Sequence, residues 1–185
     1  MSDDQITKEI PGLSLIEPSV RLQRQVSRSI DSVDPGLRSA FTGLYEGVTK
    51  WPLFLWGNIG VGKTCSALCF ADRSYFAEYF TLSGLADDVM GKNTDPHEPR
   101  MDNICRSSKH RLVILDEIGA REKIGDLERS ILQQVLDARA AMGFPLIAIS
   151  NQPPNKMYEL YGPRIASRLG AGTVYHLTGK DRRRK

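Results

Sequence analysis

The chain has 185 residues, with 25 Lys and Arg against 22 Asp and Glu, a formal charge of +3, and is 41% hydrophobic and 25% charged. That is room for one domain with a sizeable core, and the charge is too even to mark a nucleic-acid binder by itself. No apolar run is long enough to span a bilayer, and a start carrying Asp3, Asp4 and Glu9 makes no secretory leader, so a cytoplasmic protein without a membrane partner is expected.

In chain order, residues 1–33 mix prolines, serines and charges, and the apolar positions Val20, Leu22, Val26 and Ile30 are too sparse for a core helix. This stretch reads as an arm. Asp34-Pro35 then opens a helix through Leu37, Phe41, Leu44 and Val48, with Asp34 as cap and Pro35 in the first turn. The expected division is an N-terminal arm and leading helix for partner binding over 1–50, followed by a catalytic core over 51–185. In the core, strand-like runs at 52–56, 78–82, 111–115, 145–150 and 173–177 alternate with helical patterns at 63–71, 83–90, 125–142, 156–161 and 163–169. Such alternation predicts an α/β fold, a parallel sheet between helices. The polar loop 91–99 reads as exposed and mobile, and the basic end, Asp181 to Lys185, as a solvated terminus.

The first strand runs into Gly57-Asn58-Ile59-Gly60-Val61-Gly62-Lys63-Thr64, which meets every fixed position of G-x-x-x-x-G-K-[ST] between an apolar run and a helix. Its glycines let backbone N–H groups turn inward, and the helix N-terminus adds positive field, making a cradle for a polyphosphate. Lys63 would neutralise β and γ phosphates, and the Thr64 hydroxyl would hold Mg2+. The alternative is an ordinary glycine turn. Cys65 directly follows and is counted with the nucleotide-binding stretch. Cys65, Cys69 and Cys105 lack metal-site spacing and are expected to be reduced packing residues.

Leu112-Val113-Ile114-Leu115 ends in Asp116-Glu117, a Walker B pattern: Asp116 would serve the metal, and Glu117 would polarise an attacking water. Read alone, the two acids could merely cap the turn that follows. The next apolar run ends at Asn151, placed to sit beside the γ phosphate and position that water, or else simply to start a turn before Pro153-Pro154. Arg164 and Arg168 stand four apart on one helical face, readable as a solvated face, a DNA contact or an arginine finger.

Together these residues, with Leu136-Asp137-Ala138-Arg139 and Tyr161-Gly162-Pro163, resemble the AAA+ ATPases of the DnaC and IstB group over about 35–182. The resemblance implies a P-loop NTPase of the ASCE, AAA+ type with five parallel strands, in which the Asn151 strand lies between the phosphate-loop strand and the Asp116 strand. The chain stops soon after the last strand, so no C-terminal lid domain is expected, which fits the short DnaC-like type. ATP and Mg2+ are the implied cofactors, and the implied active form is a homo-oligomer whose sites form between subunits. Arg164 matches the arginine-finger position, and Arg168 lies on the same segment as a further nucleotide contact.

The leading functional expectation is a helicase loader that acts with single-stranded DNA and a replicative helicase. Lys92, Arg100, Arg106, Lys109 and Arg111 are available for DNA. The alternatives are a transposition helper ATPase of the IstB kind, a small-molecule P-loop kinase, and a nucleotide-dependent module that does not hydrolyse ATP.

Overall fold

Five short strands pair side by side in the computed structural model, which describes residues 30–74, 76–92, 101–106, 111–121 and 123–182. After a single 3-10 turn, Ile30–Ser32, the order is α1 (Pro35–Tyr45), β1 (Leu53–Trp56), α2 (Lys63–Ser74), β2 (Phe76–Thr81), α3 (Leu82–Val89) and α4 (Met101–Arg106). There follow β3 (Arg111–Ile118), α5 (Asp126–Met142), β4 (Leu146–Ser150), α6 (Pro154–Tyr161), α7 (Pro163–Gly170) and β5 (Thr173–His176). The strands lie in the order β2-β3-β4-β1-β5, with every pair parallel, so β4 separates β1 from β3 as the resemblance implies. Because all strands run one way, the residues following β1, β3 and β4 emerge on one edge, where ligands bind in open α/β sheets.

A parallel sheet is covered on both faces, so β1 and β4 inside it are apolar and buried without alternation, whereas the edge strand β5, Thr173-Val174-Tyr175-His176, alternates. Leu53, Leu55, Leu112, Ile114, Ile147 and Ile149 join α1 and α2 in one buried cluster. Their neighbours Phe54, Val113, Leu115, Leu146 and Ala148 face a second cluster with α3, α5, α6 and α7. Val33, Leu37, Phe41 and Leu44 belong to the first cluster, so α1 shares the core of the sheet. The Tyr175 hydroxyl donates to Asp34 Oδ1, which also accepts from the Leu37 backbone as the α1 cap, tying α1 to β5.

Several expectations move. Helix α1 stops at Tyr45 rather than running to Val48, because Gly47 (φ 73°) ends it and Val48 and Thr49 turn back to the Gly43 carbonyl; Val48 is exposed. β3 extends through Asp116 and Glu117 to Ile118 rather than ending at Leu115. Helix α4 was not expected. The arm over 1–29 and most of the 91–99 loop lie outside the described residues, as do 183–185. Of the basic end, Arg182 is exposed as expected, but Arg182 N donates to Gly60 O at 2.9 Å and the Asp181 and Arg182 side chains lie against the phosphate loop.

Candidate nucleotide-binding site

The loop from Gly57 to Gly62 leaves β1 through positive φ at Gly57 (151°), Gly60 (82°) and Gly62 (102°). At Gly57 a Cβ would also stand 2.1 Å from the Leu177 carbonyl oxygen, a backbone atom that cannot step aside, so the glycine is required twice over. The turn delivers Lys63 and Thr64 as the first residues of α2. Lys63 is buried, 7% exposed, and its Nζ donates to Gly57 O at 2.7 Å, Asn58 O at 2.8 Å and Asn151 Oδ1 at 2.7 Å. Those neutral oxygens fix where the ammonium stands, and the last of them joins the loop to the end of β4.

The second junction reaches β3. Thr64 Oγ1 donates to Asp116 Oδ2 at 2.6 Å, and the Tyr79 hydroxyl donates to the same oxygen at 3.0 Å. Asp116 Oδ1 accepts from Glu117 N at 2.7 Å, so three donors orient this 4% exposed carboxylate. Thr64 and Asp116 are hard oxygen donors in contact, a pair suited to Mg2+, which takes few protein ligands and completes its shell with phosphate and water. Among the described residues no group of three or more His, Cys, Asp or Glu could hold a metal on its own.

Glu117 is the one described non-glycine residue with positive φ, 63°. A register shift between Leu115 and Ile118 leaves Asp116 and Glu117 out of the β4 ladder, and such a bulge re-aims the side chains it contains. Strained backbone persists only where its surroundings over-determine it. Here Ser150 Oγ donates to Ile118 O at 2.7 Å, and Gly119 N donates to the Tyr161 hydroxyl at 2.9 Å, clamping the segment just beyond Glu117. Burial pushes the Tyr161 phenol up to about 12, partly offset by the Gly119 bond. The Glu117 side chain is exposed and lines a cavity of about 200 Å³ beside Ser83, Arg121, Glu128 and Tyr161.

Hydrogen bonds therefore pair Lys63 with Asn151 and its chain neighbour Thr64 with Asp116, while Glu117 follows Asp116 on the bulge and its side chain lines a cavity that none of those four residues lines. Asn58 and Ile59 are exposed at the tip of the loop, Val61 packs into the core, and Cys65, which is in no disulfide, is half-buried in the first turn of α2. Arg164 and Arg168 have a different partner: both reach Asp137 of α5. Of the basic residues considered for DNA, Lys92 pairs with Asp87 at 3.0 Å; Arg100, Lys109 and the side chains of Arg106 and Arg111 lie outside the described residues.

Sequence reading missed Tyr79 and the Asp181-Arg182 contact. Tyr79 reaches Asp116 because β2 pairs with β3 with Thr81 opposite Asp116, a register that no motif announces.

Among the described residues no helix is long and apolar enough to cross a membrane. The model of the ATPase family associated with various cellular activities matches residues 53–171. A protein of Mycobacterium tuberculosis, named for ATP binding and for its place in an insertion sequence, is 30% identical over 122 residues, covering 63% of this chain and 47% of its own length. The chain thus spans about half the length of that curated relative. Among solved structures, DnaI aligns with a TM-score of 0.65 at 19% identity, over 92% of this chain and 98% of its own. The DnaC helicase loader aligns at 0.61 and 14%, over 81% and 96%. AMPPCP-bound DnaA from Aquifex aeolicus aligns at 0.65 and 18%, over 84% and 51%. At such identities the likeness is one of fold. With the family match running from β1 past the end of α7, the segment that carries this geometry, the chain belongs to the ATPase family associated with various cellular activities (AAA).

Proposed function

We propose that the protein binds ATP with Mg2+, hydrolyses it in a homo-oligomer, and serves as a DnaC-like helicase loader on single-stranded DNA. The observation that carries the ATPase part is the pair of bonds from adjacent loop residues, Lys63 to Asn151 and Thr64 to Asp116, which bring three strand ends to one point. Backbone N–H groups of 57–64 wrap the phosphates, and Lys63 meets the β and γ groups. Thr64, with Asp116 through water, would hold Mg2+, which would supply positive charge at the phosphate oxygens. Glu117 takes the proton of the attacking water, and Asn151 orients that water. Arg164, seconded by Arg168, completes the site of a neighbouring subunit, a contribution of about 10³ to 10⁵ in rate in other P-loop enzymes.

A second reading has its own support: the insertion-sequence relative favours a transposition helper that prefers duplex DNA. Turnover measured with single-stranded and with duplex DNA separates the two. Stimulation by single strands, lost steeply with added salt, is the expected result. Stimulation by duplex alone would replace the loader with the helper. Glu117→Gln should keep ATP affinity and stop turnover; a variant no different from a wild type that itself releases no phosphate would mean that the protein is a nucleotide-dependent module. Phosphate release without an added acceptor excludes the kinase.

A further inference from the structure

The segment Leu136-Asp137-Ala138-Arg139 has a buried and an exposed job. Leu136 and Arg139 are buried, which fixes the rotation of α5. Arg139 Nη2 donates to Pro145 O at 2.8 Å and Nη1 to Ile104 O at 2.9 Å, holding the helix against the start of β4 and against α4. That rotation turns Asp137 toward α7. Arg164 Nη2 donates to Asp137 Oδ2 at 2.6 Å, and Arg168 Nε lies 3.0 Å from Oδ1, off the line of a hydrogen bond. The arginine side chains are 64% and 47% exposed, and Asp137 is 26% exposed.

Exposed ion pairs contribute little to stability, so this carboxylate needs another account. Two guanidinium groups on one face repel each other, and each is long and free to rotate. One carboxylate between them lowers the repulsion and leaves a net positive face. It uses one N–H of Arg164 and no hydrogen bond of Arg168, which leaves most of the donors of the two groups for a further acceptor. A group meant for an incoming phosphate is most effective when its geometry is fixed beforehand.

We propose that Asp137 is a positioning residue for the trans site: it presents Arg164 and Arg168, as a pair, to the nucleotide phosphates of a neighbouring subunit. This rests on the assignment of those arginines made above. Lock-like sequestration of the arginines is the opposing possibility, and it predicts the opposite sign.

Mixing full-length subunits tests it. Glu117→Gln subunits keep the arginines but cannot turn over their own ATP, and Arg164→Ala subunits keep the site but lack the finger. Mixed together with ATP and Mg2+, they should recover turnover. Adding Asp137→Ala to the Glu117→Gln subunit should lower the recovered kcat by about tenfold, the usual loss when an orienting partner is removed, with KM unchanged. Adding it to the Arg164→Ala subunit should change nothing, a subunit dependence that general loss of structure does not produce. Asp137→Asn, which keeps an acceptor oxygen, should restore part of the rate; it also serves if Asp137→Ala folds poorly. Full recovery with Asp137→Ala in the donor, or a faster rate, overturns the positioning role and leaves the trans assignment standing. No recovery from the two parent variants overturns both.

Discussion

Tyr161→Phe removes one oxygen from the clamp on the Glu117 bulge and leaves the ring in place. Tyr161 is 4% exposed, and its hydroxyl accepts from Gly119 N at 2.9 Å in buried surroundings. Leaving a buried N–H without its acceptor costs about 1–3 kcal/mol. In a chain of this size each kcal/mol moves Tm by about 2–4 °C, so a fall of about 2–12 °C is expected. Turnover should fall as well. A non-glycine residue at φ 63° costs about 1–3 kcal/mol, comparable with the lost bond, so Glu117 spends less time in its bulged position. ATP affinity should hold, because the bond removed goes to Gly119 and not to the phosphate loop. Thermal unfolding followed by circular dichroism, calorimetric ATP titration and phosphate release read these three quantities. Tyr158→Phe, at an exposed neighbouring position, is the control and should move Tm very little. An unchanged Tm and kcat in Tyr161→Phe would refute the clamp, and a loss of ATP affinity with kcat intact would show that the bulge serves binding instead.

Arg139→Met takes away the guanidinium that faces buried Glu78 and donates to the Pro145 and Ile104 carbonyls. A loss of about 3–5 kcal/mol is expected, seen as a lower urea midpoint at an unchanged slope. Alkali should destabilise the protein in a defined window. Tyr161 and Tyr175 are both pushed up to about 12, each chiefly by burial, with the Asp34 carboxylate adding to the shift of Tyr175. A raised phenol favours the protonated, folded form, so this stability is full below the unfolded value of about 10 and is lost as pH rises toward about 12. Urea midpoints at about pH 9 and about pH 11 should differ in that sense, and less so in Tyr161→Phe.

How much of this was legible follows from where the information resides. The phosphate loop and its strand were readable because that chemistry is local: glycines, a lysine and a threonine at fixed spacing after an apolar run. β1, β3 and β4 were readable because strands buried on both faces write themselves as runs of apolar residues, whereas the edge strand β5 shows the alternation of a half-exposed one. β3 was read too short for the same reason, since Asp116 and Glu117 look like the end of a strand while the chain carries them onward as a bulge. Helix α4, six residues between polar segments, is too short for a periodic signal. Asp137 lies far along the chain from Arg164, Tyr79 depends on strand register, and Asp181 and Arg182 meet the loop only after β5 has returned beside β1. Contacts of that kind are set by topology, and spacing in the sequence does not encode them.

The central claim is that Lys63, Thr64, Asp116 and Asn151 surround a single triphosphate. Calorimetric titration of ATP into the full chain with Mg2+, for the wild type and for Lys63→Ala, tests it most directly. The account predicts saturable binding at one site per chain in the wild type and none in Lys63→Ala. Equal affinity in the two proteins would contradict it.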